Sequence, residues 1–333
     1  MSLNLAIYGY DTDVGKLVLE FLEKSSLNIE NLYPLSPLSG DFDAVPLKGK
    51  NFMIEGVDSF DFNKADAALL LCTNDESTRI SAKIKGSSCL IIDNSKIHDL
   101  DESVPVIIPG INDYVINDAK KCGTLATPLA SSVMLSRTLM ALHDEFGIAK
   151  ANITLLEAVS EQGQAGTDTL AHETTLLLNG MPIDGDIFKA QVAFNLHFAQ
   201  GDVESDGYDI HEKAITSQLE RVLGRFEYGI DITSIQVPIF YGHSASIYVE
   251  LEETTSLDEF KEALSNSNTL TLNKDEFVTP VTHSLSQDKI IVTKIKRSNI
   301  SKKAFNFIVL MDNTRLGEAL SCVEILGILD KAK

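Results

Sequence analysis

The chain has 333 residues, a length that favours two domains over one or three, and its make-up of 44% apolar and 23% charged residues is that of a globular protein. A formal charge of −20 argues against nucleic acid, whose affinity comes from lysine and arginine neutralising phosphates, and against anionic membrane surfaces. No run reaches the roughly 18 uncharged apolar residues of a membrane span, and the start MSLNLAIYGY lacks a basic region and a cleavable apolar stretch, so a cytoplasmic location is expected.

In chain order, NLAIYGY reads as a buried strand, VGKLVLEFLEK as an amphipathic helix and NIENLYPLS as a second strand. AALLLCT, CLIID and VPVIIPGIN follow as short apolar runs of strand type, with ESTRISAKI as a helix between the first two. This rhythm implies a mostly parallel sheet covered on both faces. LATPLASS leaves a strand, turns at proline and enters the helix SSVMLSRTLMALHDEFG, with Ser131 and Ser132 available as caps. ANITLLEAVS is a strand and TDTLAHETTLLLNG a helix, while ITSIQVPIFYGHSASIYVELE alternates as an antiparallel sheet does. SLDEFKEALSNS is a capped helix, DKIIVTKIKRS and AFNFIVLMDN are strands, and TRLGEALSCVEILGIL returns to a helical period. The expected organisation is an α/β Rossmann-like dinucleotide-binding domain over residues 1–127 and 312–333. An α+β domain with a largely antiparallel sheet is expected over 128–311.

The four cysteines are scattered, and Cys72 and Cys89 lie in apolar runs where a thiol behaves as a small core hydrophobe. The seven histidines lack zinc-ligand spacing, so no metal site is expected.

IYGYDTDVGK stands where a dinucleotide-binding turn belongs, after the first strand and opening the first helix. Gly9 and Gly15 hold the outer glycine positions, Thr12 fills the middle one, and Asp13 and Val14 complete the turn. A threonine Cβ obstructs the approach of a pyrophosphate. The carboxylates of Asp11 and Asp13 repel it, by about 4 kcal/mol per charge pair at about 4 Å and an effective dielectric of about 20. Asp13 has a structural use as helix N-cap and Asp11 as a turn former. The second strand ends with Ser36 and Ser39 and without a nearby acid or base, so charge selects neither NAD nor NADP.

GYDTDVG, IIDNSKIHDLDESVPVIIPGIN, LATPLASS, LLEAVSEQGQAG, AFNL, VPIFYGHSAS and DNTRLGEALSCVEI, in that order, resemble the aspartate-β-semialdehyde dehydrogenases over nearly the whole chain. The resemblance implies an NADP-binding domain, a catalytic and dimerisation domain, and reduction of an aspartyl phosphate through a cysteine thioester. Here Ala130 matches the nucleophile. Without a thiolate no covalent hemithioacetal forms.

Carried over residue by residue, His243 matches the catalytic base, Gln236 the substrate-clamping arginine and Glu157 a glutamine. Asp99, with Lys96 and Asn94 nearby, falls at the phosphate-binding arginine's place. Ala214 replaces a lysine and follows a retained Glu212. Ser131, Ser160 and Gly163 are placed in the substrate cleft by the same resemblance, and Asn313 beside the cofactor. The changes subtract affinity for anions, and the pattern resembles the family's Usg-type paralogues, which keep the fold and lose the cysteine. The expected protein is a homodimer that is non-catalytic and binds NADP, NAD or a small-molecule ligand weakly. Two alternatives stand beside it: a reductase that uses His243 without a covalent intermediate, and a structural partner that forms mixed dimers.

Overall fold

A computed structural model describes residues 2–37, 43–183, 187–224 and 229–332. The chain divides into two compact units, one made of 1–129 and 318–333 and the other of 130–317.

The first unit contains β1 (Leu3–Tyr8), α1 (Asp13–Lys24), β2 (Ile29–Ser36), β3 (Ala44–Leu47), β4 (Lys50–Met53), β5 (Glu55–Gly56), β6 (Ala67–Leu70), α2 (Asn74–Ile84), β7 (Leu90–Asp93), α3 (Ile116–Cys122) and β8 (Thr124–Ala126). Six strands form an all-parallel sheet in the order β5-β2-β1-β6-β7-β8, and β3 and β4 pair as a separate hairpin. Because side chains alternate across a strand, β1 sends Leu3, Leu5 and Ile7 to one face and Ala6 and Tyr8 to the other. Val18 and Leu22 of α1 and Ile325 and Leu326 of the C-terminal helix Ser321–Lys331 cover the first face. Ile80 and Ile84 of α2 cover the second, with Phe60 and Phe62. The expected parallel sheet with helices on both faces is thus present.

Two local expectations fail for identifiable reasons. VPVIIPGIN forms no strand, only an isolated bridge from Val106 to Ala126; Pro105 and Pro109 each remove an N–H that a ladder would need. The cap of α1 is Thr12, not Asp13: Thr12 has extended backbone and its hydroxyl accepts from the Gly15 N–H, while Asp13 is already the first helical residue.

The second unit contains α4 (Ala130–Phe146), β9 (Ile148–Glu157), α5 (Gly163–Leu178), α6 (Ile210–Leu223), β10 (Gly229–Gln236), β11 (His243–Leu251), α7 (Leu257–Asn266), β12 (Leu270–Leu272), β13 (Ile290–Arg297) and β14 (Ala304–Met311). Its sheet runs β10-β9-β11-β14-β13-β12, antiparallel at the three central pairings and parallel at the two outer ones. The run expected to alternate as an antiparallel sheet does supplies two strands that do not touch each other: β10 lies parallel to β9, β11 antiparallel to β9. Pro238 and Gly242 lie in the connection, and the chain crosses β9 there instead of folding as a hairpin. Ile153, Leu155, Ile232, Ala245 and Ile247 form the buried face, against which α4 and α6 pack. The same two-residue period carries Glu157, Ser234, Gln236 and His243 onto this covered face. Among the described residues no helix is long and apolar enough to cross a membrane.

Candidate active site

The candidate site lies in the second unit, where β9 and β10 end and β11 begins. Glu157 is the last residue of β9 and is fully buried. Its Oε2 accepts from Gln200 Nε2 at 2.5 Å, Ser234 Oγ at 2.5 Å and His211 Nε2 at 2.8 Å; its Oε1 accepts from Ser131 Oγ. Burial alone would raise this carboxyl, but the facing His211 and the hydrogen bonds hold it below the usual carboxylate range. Four donors are what a carboxylate can accept, so the anion is saturated by its own chain.

Ser131 was expected to cap α4. Instead the helix already includes Ala130, and the whole first turn is buried. Ser131 lies inside the helix, and its hydroxyl donates to the charged acceptor Glu157. Ala130 is 2% exposed, and its methyl group offers no bond-forming atom.

His243 is completely buried. Its Nδ1 accepts the Ala158 N–H at 3.1 Å, which places the proton of the neutral ring on Nε2, 3.0 Å from Glu161 Oε2. Both ring nitrogens are engaged by the protein. Gln236, 1% exposed, donates its amide to the main-chain carbonyl of Glu157 at 2.6 Å.

Ser160 and Asn313 join the same region: Asn313 Nδ2 donates to Ser160 Oγ at 2.9 Å, and its Oδ1 accepts the Gly242 N–H at 3.0 Å. Asn313, expected beside a cofactor, spends its amide on these two internal bonds. Glu212 is buried and closes a capping box with Asp209, and its other oxygen accepts from Ser234 N at 2.8 Å. Gly163 takes a left-handed φ of 63° at the start of α5. Gln200, His211, Ser234 and Glu161 were not singled out from the sequence.

One ligand atom each from Glu157, Glu161 and His243 lies within 4.8 Å of the others. Binding a metal through Nε2 of His243 would move the ring proton to Nδ1, against the Ala158 N–H, whereas metal-bound imidazoles donate from the second nitrogen. The donor pattern fits hydrogen bonding and does not fit a metal.

The remaining expected site residues belong to the first unit. Asn94 accepts from Thr127 Oγ1 at 2.6 Å and donates to Glu318 at 3.1 Å. Lys96 and Asp99 lie in the turn after β7, where the Lys96 carbonyl accepts the Asp99 N–H. In the glycine turn, a Cβ on Gly9 (φ 84°) would stand 2.1 Å from the Leu71 carbonyl oxygen, and one on Gly15 would stand 2.1 Å from that of Gly9. Both glycines are thus demanded by the turn itself. Thr12 donates to the Gly9 carbonyl at 2.7 Å and accepts the Gly15 N–H at 3.0 Å, taking up a helix-terminal donor that a pyrophosphate would use. Asp13 lies 3.7 Å from Lys16, and Val14 follows it in the first turn of α1. Ser36 ends β2, and Ser39 lies outside the described residues.

Comparison with known proteins agrees with this architecture. The model described as "Semialdehyde dehydrogenase, dimerisation domain" matches residues 139–316, and "Semialdehyde dehydrogenase, NAD binding domain" matches residues 4–119. The chain is 28% identical over 330 residues to an aspartate-semialdehyde dehydrogenase of a Shewanella species, covering 98% of each chain. It is 26% identical over 333 residues to that of Legionella pneumophila, covering 99% of this chain and 96% of the other. Among solved structures, aspartate semialdehyde dehydrogenase II of Vibrio cholerae, complexed with ASA, superposes with a TM-score of 0.91 at 26% identity, covering 99% of each chain.

Proposed function

Because this chain belongs to the semialdehyde dehydrogenase family, we propose that it keeps the family's scaffold while lacking its covalent reduction, in the manner of the Usg-type paralogues. The observation that carries this reading is the pairing at the head of α4. Ala130 has no nucleophilic atom, and the neighbouring Ser131 hydroxyl is committed to Glu157.

The surrounding polar groups support the same reading. Oxidising an aldehyde in this pocket needs a base with a free lone pair to take the proton as hydride leaves, and cations for an anionic substrate. His243 has Nδ1 on a backbone N–H and Nε2 on Glu161; Gln236 and Glu157 contribute no positive charge. With Thr12 closing the glycine turn, NAD or NADP binds weakly at best, and a small metabolite is an equal candidate for the ligand. The matched dimerisation domain supports a homodimer.

A second reading rests on His243 alone. Its Nε2–H is a proton donor in a buried setting, which suits a reductase that protonates an oxo group without a covalent intermediate.

One assay separates the two. Purified protein is mixed with aspartate semialdehyde, phosphate and NADP, and turnover is followed together with the mass of the intact chain. No NADPH and no acyl adduct are expected, and Ala130→Cys is expected to stay inactive because the anion clamps are still missing. Turnover that disappears in His243→Ala, or a covalent adduct on any side chain of the site, would refute the non-catalytic reading.

A further inference from the structure

The donors that meet at Glu157 come from four separate pieces of the second unit. Ser131 comes from the first turn of α4, Ser234 from β10, His211 from the first turn of α6, and Gln200 from the connection between α5 and α6. Ser131, Ser234 and His211 are buried and Gln200 is half-buried. Buried donors are costly unless each finds an acceptor, so their convergence selects what can sit among them. An amide or a hydroxyl would bring donors of its own. A carboxylate only accepts, and its two oxygens have room for all four.

These donors are held by bonds that do not involve Glu157. The Ser234 N–H goes to Glu212, and Glu212 closes a capping box with Asp209 that fixes the start of α6, from which His211 projects. The same Asp209 accepts the Gln200 N–H at 2.6 Å. Gln200 Nε2 also reaches Ser234 Oγ at 2.7 Å, while its buried Oε1 has no hydrogen-bond partner among the described residues. The Gln200 amide is thus turned to donate at the expense of its own acceptor. Donors set in place by other contacts are the arrangement of a preorganised binding site.

We infer that Ser131, Gln200, His211 and Ser234 form a receptor for one carboxylate, and that the chain supplies the occupant itself as Glu157. Because this carboxylate is tethered to the end of β9, it outcompetes free carboxylates at millimolar concentration. The receptor therefore takes a small external carboxylate only when the Glu157 side chain is absent. A metabolite bound by the intact protein brings no carboxylate to this place. The inference rests on the hydrogen bonds around Glu157 and not on the non-catalytic reading, and its readout is stability rather than turnover.

The test is rescue by formate, which has the carboxylate and little else. Glu157→Ala and Glu157→Gly, the second clearing one more carbon, are unfolded in urea at constant ionic strength with sodium formate, sodium chloride, or chloride plus formamide. Formate should raise the midpoint of at least one variant saturably, with a Kd of about 1–10 mM for so small a ligand. Chloride and formamide should not. The wild type and Glu157→Gln, whose side chains fill the receptor, should gain nothing from formate beyond the effect of chloride. Adding Ser234→Ala should weaken the rescue about tenfold, the effect of one donor to a charged group. Where a variant does not fold in chloride, the yield recovered on dilution from urea replaces the midpoint, and formate should restore it. The inference is overturned if neither variant gains from formate by midpoint or yield, if the wild type gains equally, or if Ser234→Ala leaves the gain unchanged.

Discussion

Ala130 and Gly317 approach so closely that no methyl group fits between them: a Cβ built on Gly317 would lie 2.4 Å from the Cβ and 2.7 Å from the Cα of Ala130. The second of these atoms belongs to the backbone of a buried helix and has no rotamer by which to yield. Gly317→Ala is therefore expected to destabilise the protein by about 1–3 kcal/mol, the range for overpacking a filled core. Urea unfolding of the two proteins checks it, and an unchanged midpoint would show that α4 shifts more freely than its burial implies.

The Ser131–Glu157 contact separates a capping serine from one that belongs to a network. As a cap, Ser131 would contribute independently of Glu157. As a donor to a buried carboxylate, its removal leaves an acceptor under-satisfied, at a cost of about 1–3 kcal/mol. Ser131→Ala, Glu157→Gln and the double variant should show non-additive unfolding free energies, with coupling of about 0.5–3 kcal/mol; additivity would restore the capping role. The pH dependence follows from the direction of the Glu157 shift. A carboxyl held below its ordinary value of 4.5 adds stability that is present above that pH and is lost as pH falls through the folded value. The wild type should therefore lose more stability than Glu157→Gln on acidification below about pH 4.5.

How legible these features are depends on the distance over which each interaction acts. β1, β6 and β7 are visible as continuous apolar runs because a strand buried on both faces needs nothing else. The cap of α7 is equally visible, since Ser256 and Glu259 satisfy each other within one turn. The ligands of Glu157 are not. His211 is 54 residues away and Gln200 is 43, and neither sits in a periodic pattern that points at a strand end. Ser131 misleads for the complementary reason: it stands where a cap should, and only the burial of the helix start and the charge of a distant glutamate redirect it. Thr12 and Asp13 are both good caps by type, and only the observed helix start separates them.

In the first unit, His98 and Asp93 form a pair at 3.4 Å, with Asp93 fully buried. The hydrogen bond to Asp93, and then its charge with those of Asp101 and Asp99, raises the His98 imidazole against its partial burial. Burial opposes ionisation of Asp93, but hydrogen bonds from His98, Ser77 and Ser95 lower it. A raised imidazole stabilises the fold fully below its unfolded value, near 6.5, and ceases to do so as pH rises through the folded value. His98→Gln should thus destabilise the protein by on the order of 1 kcal/mol at about pH 5.5 and by much less at about pH 9. Thermal unfolding at the two pH values decides it; a penalty that grows with pH would mean that His98 acts as a neutral spacer.

Thr12 is the test of whether the glycine turn is closed by its own side chain. Its hydroxyl occupies both the Gly9 carbonyl and the Gly15 N–H, so Thr12→Gly removes the Cβ that obstructs a pyrophosphate and frees a donor at the start of α1. The substitution also removes the cap, at a cost of only a few tenths of a kcal/mol when glycine replaces threonine. NADP binding measured by calorimetry should tighten, by about tenfold if one backbone hydrogen bond to a charged phosphate is gained. The further change Asp13→Asn should tighten it again, and more so at low salt, because the carboxylate is exposed and screened. If neither variant binds NADP more tightly than the wild type, the obstruction lies elsewhere than in this turn.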